Sequence, residues 1–209
     1  MDSNVASEPL LKRARKAQRR KQVVAQKRRA EALEASLPAR VLRAAHAPLQ
    51  HCFLTESVFD IGMGTLVLAR GATPHHIALS SFLIDVFCLG IKDVMFESVE
   101  RERFEMYMAA TDAGSPMVSV DPGYARKLLR DLAAWSQSIG FAPHRDFAAV
   151  ERIFGDVSAD ASDAVFRFGR DGKPVYIPGP SDTAPLVRRR IEQLRKHLGD
   201  DGFGLEIAA

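Results

Sequence analysis

Ser80-Ser81-Phe82-Leu83-Ile84-Asp85-Val86-Phe87-Cys88-Leu89-Gly90-Ile91-Lys92-Asp93 is the stretch that decides how this chain folds. Phe82, Ile84, Val86 and Cys88 share one alternation face, and Leu83 and Phe87 share the other. Apolar side chains on both faces predict a strand covered on both sides, running over about 75–88 and stopping at Gly90. Asp85 is the polar exception, a carboxylate that needs either a structural partner or a chemical task.

Upstream, two more runs read as strands, about 51–59 and 63–70, separated by Asp60-Ile61-Gly62 and followed by Gly71-Ala72-Thr73-Pro74. Connections this short predict a three-stranded antiparallel meander. Downstream, residues 97–110 turn helical, and Asp121-Pro122-Gly123 opens a helix over 124–139 whose Ala125, Leu128, Leu129, Leu132 and Trp135 form one apolar stripe. A further helix is expected over 145–154. Asp171-Gly172, set between Val165–Gly169 and Lys173–Ile177, predicts a late β-hairpin. A C-terminal helix over 183–198, with Arg188, Arg189, Arg190, Arg195 and Lys196 on its exposed face, and a short strand over 203–207 complete an α+β body.

Charge divides the chain differently. Residues 1–43 carry twelve Lys or Arg against four Asp or Glu, a formal +8, while residues 44–209 carry seventeen against twenty-two, a formal −5. The modest net charge of +3 hides a basic arm attached to a mildly acidic domain. The division expected is an arm and linker over 1–45 and a single α+β domain over 46–209. From Leu10 to Ala35 the arm contains neither Gly nor Pro and consists of good helix formers, so it reads as a detached basic helix.

Lys12, Arg13, Arg15, Lys16, Arg19, Arg20, Lys21, Lys27, Arg28 and Arg29 surround that helix, and residues 12–30 contain no acid. Solvated helices ordinarily mix signs, whereas ten cations on all sides suit phosphates, with counterion release as the driving force. Nucleic acid is the expected partner, RNA or a ribonucleoprotein surface ahead of DNA, with a protein partner as the alternative. The arm lacks the bulky apolar face of a membrane-surface helix. Nuclear-signal and transit-peptide readings of the same charges stand beside it, the second weakened by Asp2 and Glu8.

Cys52 and Cys88 are the only cysteines, both in apolar surroundings, which points away from a disulfide framework and toward a reducing, cytoplasmic setting. No apolar stretch approaches the roughly 20 residues of a membrane span. His51, Cys52, His75, His76 and Cys88 could meet in a zinc site only through two coincidences of strand register, and they lack close ligand spacing, so no metal is expected there.

Two readings of the carboxylates compete. Asp60-Ile-Gly-Met-Gly-Thr65 resembles, over six residues, the first motif of actin-type and sugar kinases and of some RNase H-like nucleases, and it is equally an ordinary hairpin turn. Asp60, Asp85 and Asp93 could jointly hold Mg²⁺ for a nuclease or phosphoesterase. Against that, Asp85 could be a buried carboxylate satisfied by a backbone N–H or by Lys92 or Arg70. The non-enzymatic reading, with no cofactor, is the leading expectation.

Gly62-Met-Gly-Thr-Leu-Val-Leu-Ala-Arg70 followed by Phe82-Leu-Ile-Asp-Val-Phe-Cys-Leu-Gly-Ile-Lys-Asp93 resembles a segment of a group of uncharacterised bacterial proteins in which a Leu-Val-Asp-Val-Tyr-Cys-Leu-Gly-Val-Lys run recurs. The resemblance covers about thirty residues. It implies a bacterial origin and one coherent domain, and it assigns no site roles.

Overall fold

A computed structural model describes residues 35–73 and 75–206, together with Lys21, Val23, Val24, Gln26, Lys27, Arg28 and Ala32. The chain divides into two units, Met1–Arg40 and Val41–Ala209. In the first, the described positions between 21 and 32 are helical; the rest of the expected basic helix lies outside the described residues.

The second unit is built on a five-stranded antiparallel sheet, ordered β4-β3-β2-β1-β5. Helix α1 (Leu37–Ala45) leads into β1 (Leu49–Thr55), the single helical turn α2 (Val58–Ile61), β2 (Met63–Thr73), β3 (His76–Asp85) and β4 (Gly90–Val99). Helix α3 (Arg101–Gly114) follows, then β5 (Met117–Ser119), α4 (Pro122–Ser138) and α5 (Phe147–Val150), which runs on into a 3-10 turn over Glu151–Phe154. The three expected strands are all in the sheet, and two more flank them.

Each face of β3 has a cover, as the double alternation required. Ile77 and Leu79, with Val67 and Ala69 of β2, pack on Phe104 of α3, and the Tyr107 hydroxyl donates to Ser81 Oγ at 2.6 Å. Phe82 points to the opposite face, edge-on to Phe147 of α5 and tilted against Phe154. Leu128, Leu129 and Leu132 of α4 are fully buried. Asp121 begins that helix, its Oδ1 accepting from the Gly123 and Tyr124 amides, with Pro122 in the first turn.

The stretch 80–93 is a hairpin rather than one long strand. β3 stops at Asp85, which pairs with Gly90, and Val86–Leu89 form a four-residue loop between them. Gly90 has φ +72, and a Cβ there would collide with the Ser136 side chain, so glycine both opens β4 and lets α4 close on it. The loop is as apolar as a strand and just as buried, with Val86, Phe87, Cys88 and Leu89 all nearly inaccessible.

Buried loops require partners for their backbone groups. Asp85 Oδ1 accepts from the Phe87 amide at 3.0 Å and the Cys88 amide at 2.8 Å, and the carboxylate also takes a bond from the Leu89 amide. The Val86 amide donates to Gly62 O, while Val86 O and Phe87 O accept from the Gly169 and Val175 amides.

Those last two bonds explain why the expected late β-hairpin does not form. The Asp-Gly turn is present: Asp171 has φ 54, Gly172 has φ 80, and Arg170 and Lys173 exchange both backbone bonds. Beyond that single bridge the two runs separate, because the backbone at Gly169 and Val175 is bonded to the 86–89 loop and Pro174 has no N–H to give. Residues 165–168 instead lay Phe166 against Tyr124 and Phe168 against Trp135, while β6 (Val175–Tyr176) pairs in parallel with β7 (Gly204–Leu205).

The last helix, α6 (Ala184–Leu198), packs Leu194, Val187 and Ile191 beside Cys88, Leu89 and Tyr176. Its arginines do not form one uniform exposed face. Arg190 is half-buried, stacked over Tyr176 and paired with Asp182 at 2.5 Å.

Candidate functional site

The carboxylates singled out in the sequence do not assemble. Asp60 is exposed on α2. Asp93 is exposed on β4, where its Oδ1 accepts from the Val94 amide and stands 3.6 Å from His144 Nε2. Asp85 is buried and committed to the loop amides. Burial raises its pKa above the ordinary carboxylate value, outweighing those amides and the charge of Lys92. Of the two bases considered as partners for Asp85, Lys92 acts on it at a distance and Arg70 bonds elsewhere. Among the described residues, no group of three or more His, Cys, Asp or Glu could hold a metal ion.

The histidine and cysteine candidates are dispersed as well. Cys52 stands opposite Leu68, which pairs with Ser80, whereas Cys88 lies beyond Asp85 at the far end of β3. His51 is stacked between Phe53 and Phe104, at 5.5 and 5.4 Å. His75 and His76 are exposed at the β2–β3 turn. Both thiols are free; burial pushes Cys52 up to about 12 and raises Cys88 as well, which makes both unreactive. Of the basic-arm residues, Lys21, Lys27 and Arg28 occupy described helical positions, and Lys12, Arg13, Arg15, Lys16, Arg19, Arg20 and Arg29 lie outside the described residues.

A different constellation does converge. At the end of β2, Arg70 is buried, and its guanidinium spans three main-chain carbonyls: Nε to Ile153 O at 2.7 Å, Nη1 to Ala47 O at 2.7 Å and Nη2 to Phe154 O at 2.6 Å. One side chain thereby ties the segment after α1 to the 3-10 turn after α5. Gly155, at φ +61, lets the chain turn beside it; a Cβ there would stand 2.9 Å from Ala45 O and 3.3 Å from Arg70 Nη2. Desolvation lowers the pKa of Arg70, and the nearby charge of Asp156 only partly counters that.

Arg126 of α4 lies alongside. Its Nε donates to Glu151 Oε1 at 2.6 Å and its Nη1 donates to Gly155 O and Val157 O. Arg130 Nε reaches the same Glu151 oxygen at 2.8 Å. Burial alone would raise the pKa of Glu151, but the hydrogen bonds from Arg126 and Arg130 outweigh it and hold the carboxyl below its ordinary value. A depressed carboxylate contributes stability that is present above its unfolded pKa of about 4.3 and is lost as pH falls through the folded value. Glu151→Gln is therefore expected to cost about 2 kcal/mol at pH 7 and less at pH 3.5, below the unfolded value. Urea unfolding at the two pH values measures the difference.

Arg70 and Arg126, with the exposed Arg152 and Asp156, line an open pocket of about 750 Å³ together with Leu42 and Ala45 of α1 and His46 just after it. No ion pair or hydrogen bond holds the Arg152 side chain among the described residues. The sequence offered little sign of this site, because Arg70 and Ile153 are 83 residues apart and the arginines share no motif.

No family model matches the chain. No curated protein and no solved structure matches it either. The functional reading therefore rests on charge and geometry. Among the described residues, no helix is long and apolar enough to cross a membrane.

Proposed function

We propose that the protein is a non-enzymatic nucleic-acid-binding protein that engages RNA, or a ribonucleoprotein surface, through the basic residues 12–29. The observation that carries this reading is the segregation of charge: a formal +8 within residues 1–43 against −5 over the remainder, with no acid between 12 and 30. A body of formal charge −5 adds little general attraction for a nucleic-acid backbone, so the arm supplies the non-specific affinity and a fast encounter. The same reading places the protein in the cytoplasm, where two buried free thiols stay reduced.

Labelled RNA and duplex DNA titrated with the full chain across a salt series test it. Affinity for RNA is expected to fall steeply with salt, the log–log slope losing roughly 0.7 for each single-strand phosphate contact removed. Replacing the ten basic residues by glutamine is expected to flatten that slope. A slope that these substitutions leave unchanged defeats the proposal, and capture of one protein without RNA binding would favour an adaptor instead.

A further inference from the structure

We propose that the pocket between α1 and Arg70 binds a phosphate monoester, carried either on the end of an RNA strand or on a small phosphorylated compound. Arg70 carries the argument. A buried cation is normally paired with an anion, since burial without compensation is expensive. Arg70 is only 5% exposed, yet its hydrogen-bond partners are three neutral carbonyls, and among the described residues no carboxylate forms an ion pair with it. Three of its five N–H donors are used, so each terminal nitrogen keeps one for a ligand.

The surroundings fit a dianion. The described lining carries Arg70, Arg126 and Arg152 against Asp156, a formal +2. Glu151 already holds Arg126 and Arg130 in place, so its charge is spent on positioning them. Planar guanidinium forks suit phosphate oxygens, and a cavity of about 750 Å³ has room for the group that bears the phosphate. Among the described residues the Arg152 side chain has no bond to break in order to turn inward, and His46 is part of the same lining.

For a free phosphate compound the proposal is independent of RNA binding; for an RNA end it rests on the function proposed above. Inorganic phosphate titrated into the full chain at constant ionic strength, with chloride as the balancing anion, is expected to raise Tm saturably. Arg152→Gln, at an exposed position whose side chain makes no bond among the described residues, is expected to weaken phosphate about tenfold. Glutamine at 12, 13, 15 and 16 is expected to leave phosphate binding unchanged while weakening RNA. A preference for a 5′-phosphorylated over a 5′-hydroxyl RNA oligonucleotide that Arg152→Gln abolishes assigns the RNA end. Equal binding of the two, with phosphate still saturating, assigns a small phosphorylated compound. No phosphate effect beyond that of chloride, or one that Arg152→Gln does not change, overturns the site and leaves Arg70 a structural tie. Unaltered RNA binding by the arm variant overturns only the function proposed above.

Discussion

Asp85→Ala is expected to destabilise the fold by about 3 kcal/mol or more, because three buried amides lose their acceptor together and each unsatisfied group costs about 1–3 kcal/mol. The Phe87, Cys88 and Leu89 amides sit in a loop that water cannot reach, so no solvent molecule substitutes for the carboxylate. Asp85→Asn separates the hydrogen bonds from the charge. It keeps an oxygen for the amides and is expected to cost about 1 kcal/mol near pH 4. The folded-state pKa of Asp85 is raised, chiefly by burial, so the folded protein holds this proton more tightly than the unfolded chain. That contribution is fully present below the unfolded value of about 3.9 and is lost as pH rises through the folded value. The asparagine variant has no such loss, and its deficit relative to aspartate is expected to shrink as pH rises. Urea midpoints of both proteins at pH 4 and pH 8 give the answer. A deficit that grows with pH would mean that the amides, rather than burial, control the ionisation.

The same residue shows how far the sequence could be read. Phe82, Leu83 and Ile84 reported a strand with two covered faces, and α3 and α4 with α5 supply the covers. Val86-Phe87-Cys88-Leu89 looked like a continuation because hydrophobicity records burial, not backbone direction, and here a turn is buried as deeply as a strand. The signs of reversal were Asp85 and Gly90, a carboxylate that can satisfy several amides and a residue free to take φ +72. The Asp171-Gly172 turn was legible for the same local reason. Whether its flanks would pair was not, since that depended on a loop some eighty residues earlier offering Val86 O and Phe87 O to the Gly169 and Val175 amides. The candidate site follows this pattern: charge segregation is compositional and plain in the chain, whereas the arginine pocket exists only once β2, α4 and the turn after α5 have been brought together.

Arg70→Met provides the sharpest test of how that pocket is held. Methionine keeps most of the apolar stem and removes the guanidinium, leaving Ala47 O, Ile153 O and Phe154 O without their donor. Hydrogen bonds to a charged group are worth about 1.5–3 kcal/mol each, so three of them outweigh the relief from no longer burying an unpaired cation. The net loss is expected to be about 4 kcal/mol, a large part of the stability of a domain this size. Arg70→Lys keeps the charge but presents one compact ammonium to carbonyls that come from two separate segments. It can reach one or two of them but not all three, and is expected to cost about 2 kcal/mol. Equilibrium unfolding of the two variants orders them, methionine worse than lysine and both worse than arginine. If methionine proves equal to arginine, the three carbonyls do not depend on the side chain, and the cation is held in the fold at a net cost. A residue kept on those terms acts through its charge rather than through the bonds that anchor it.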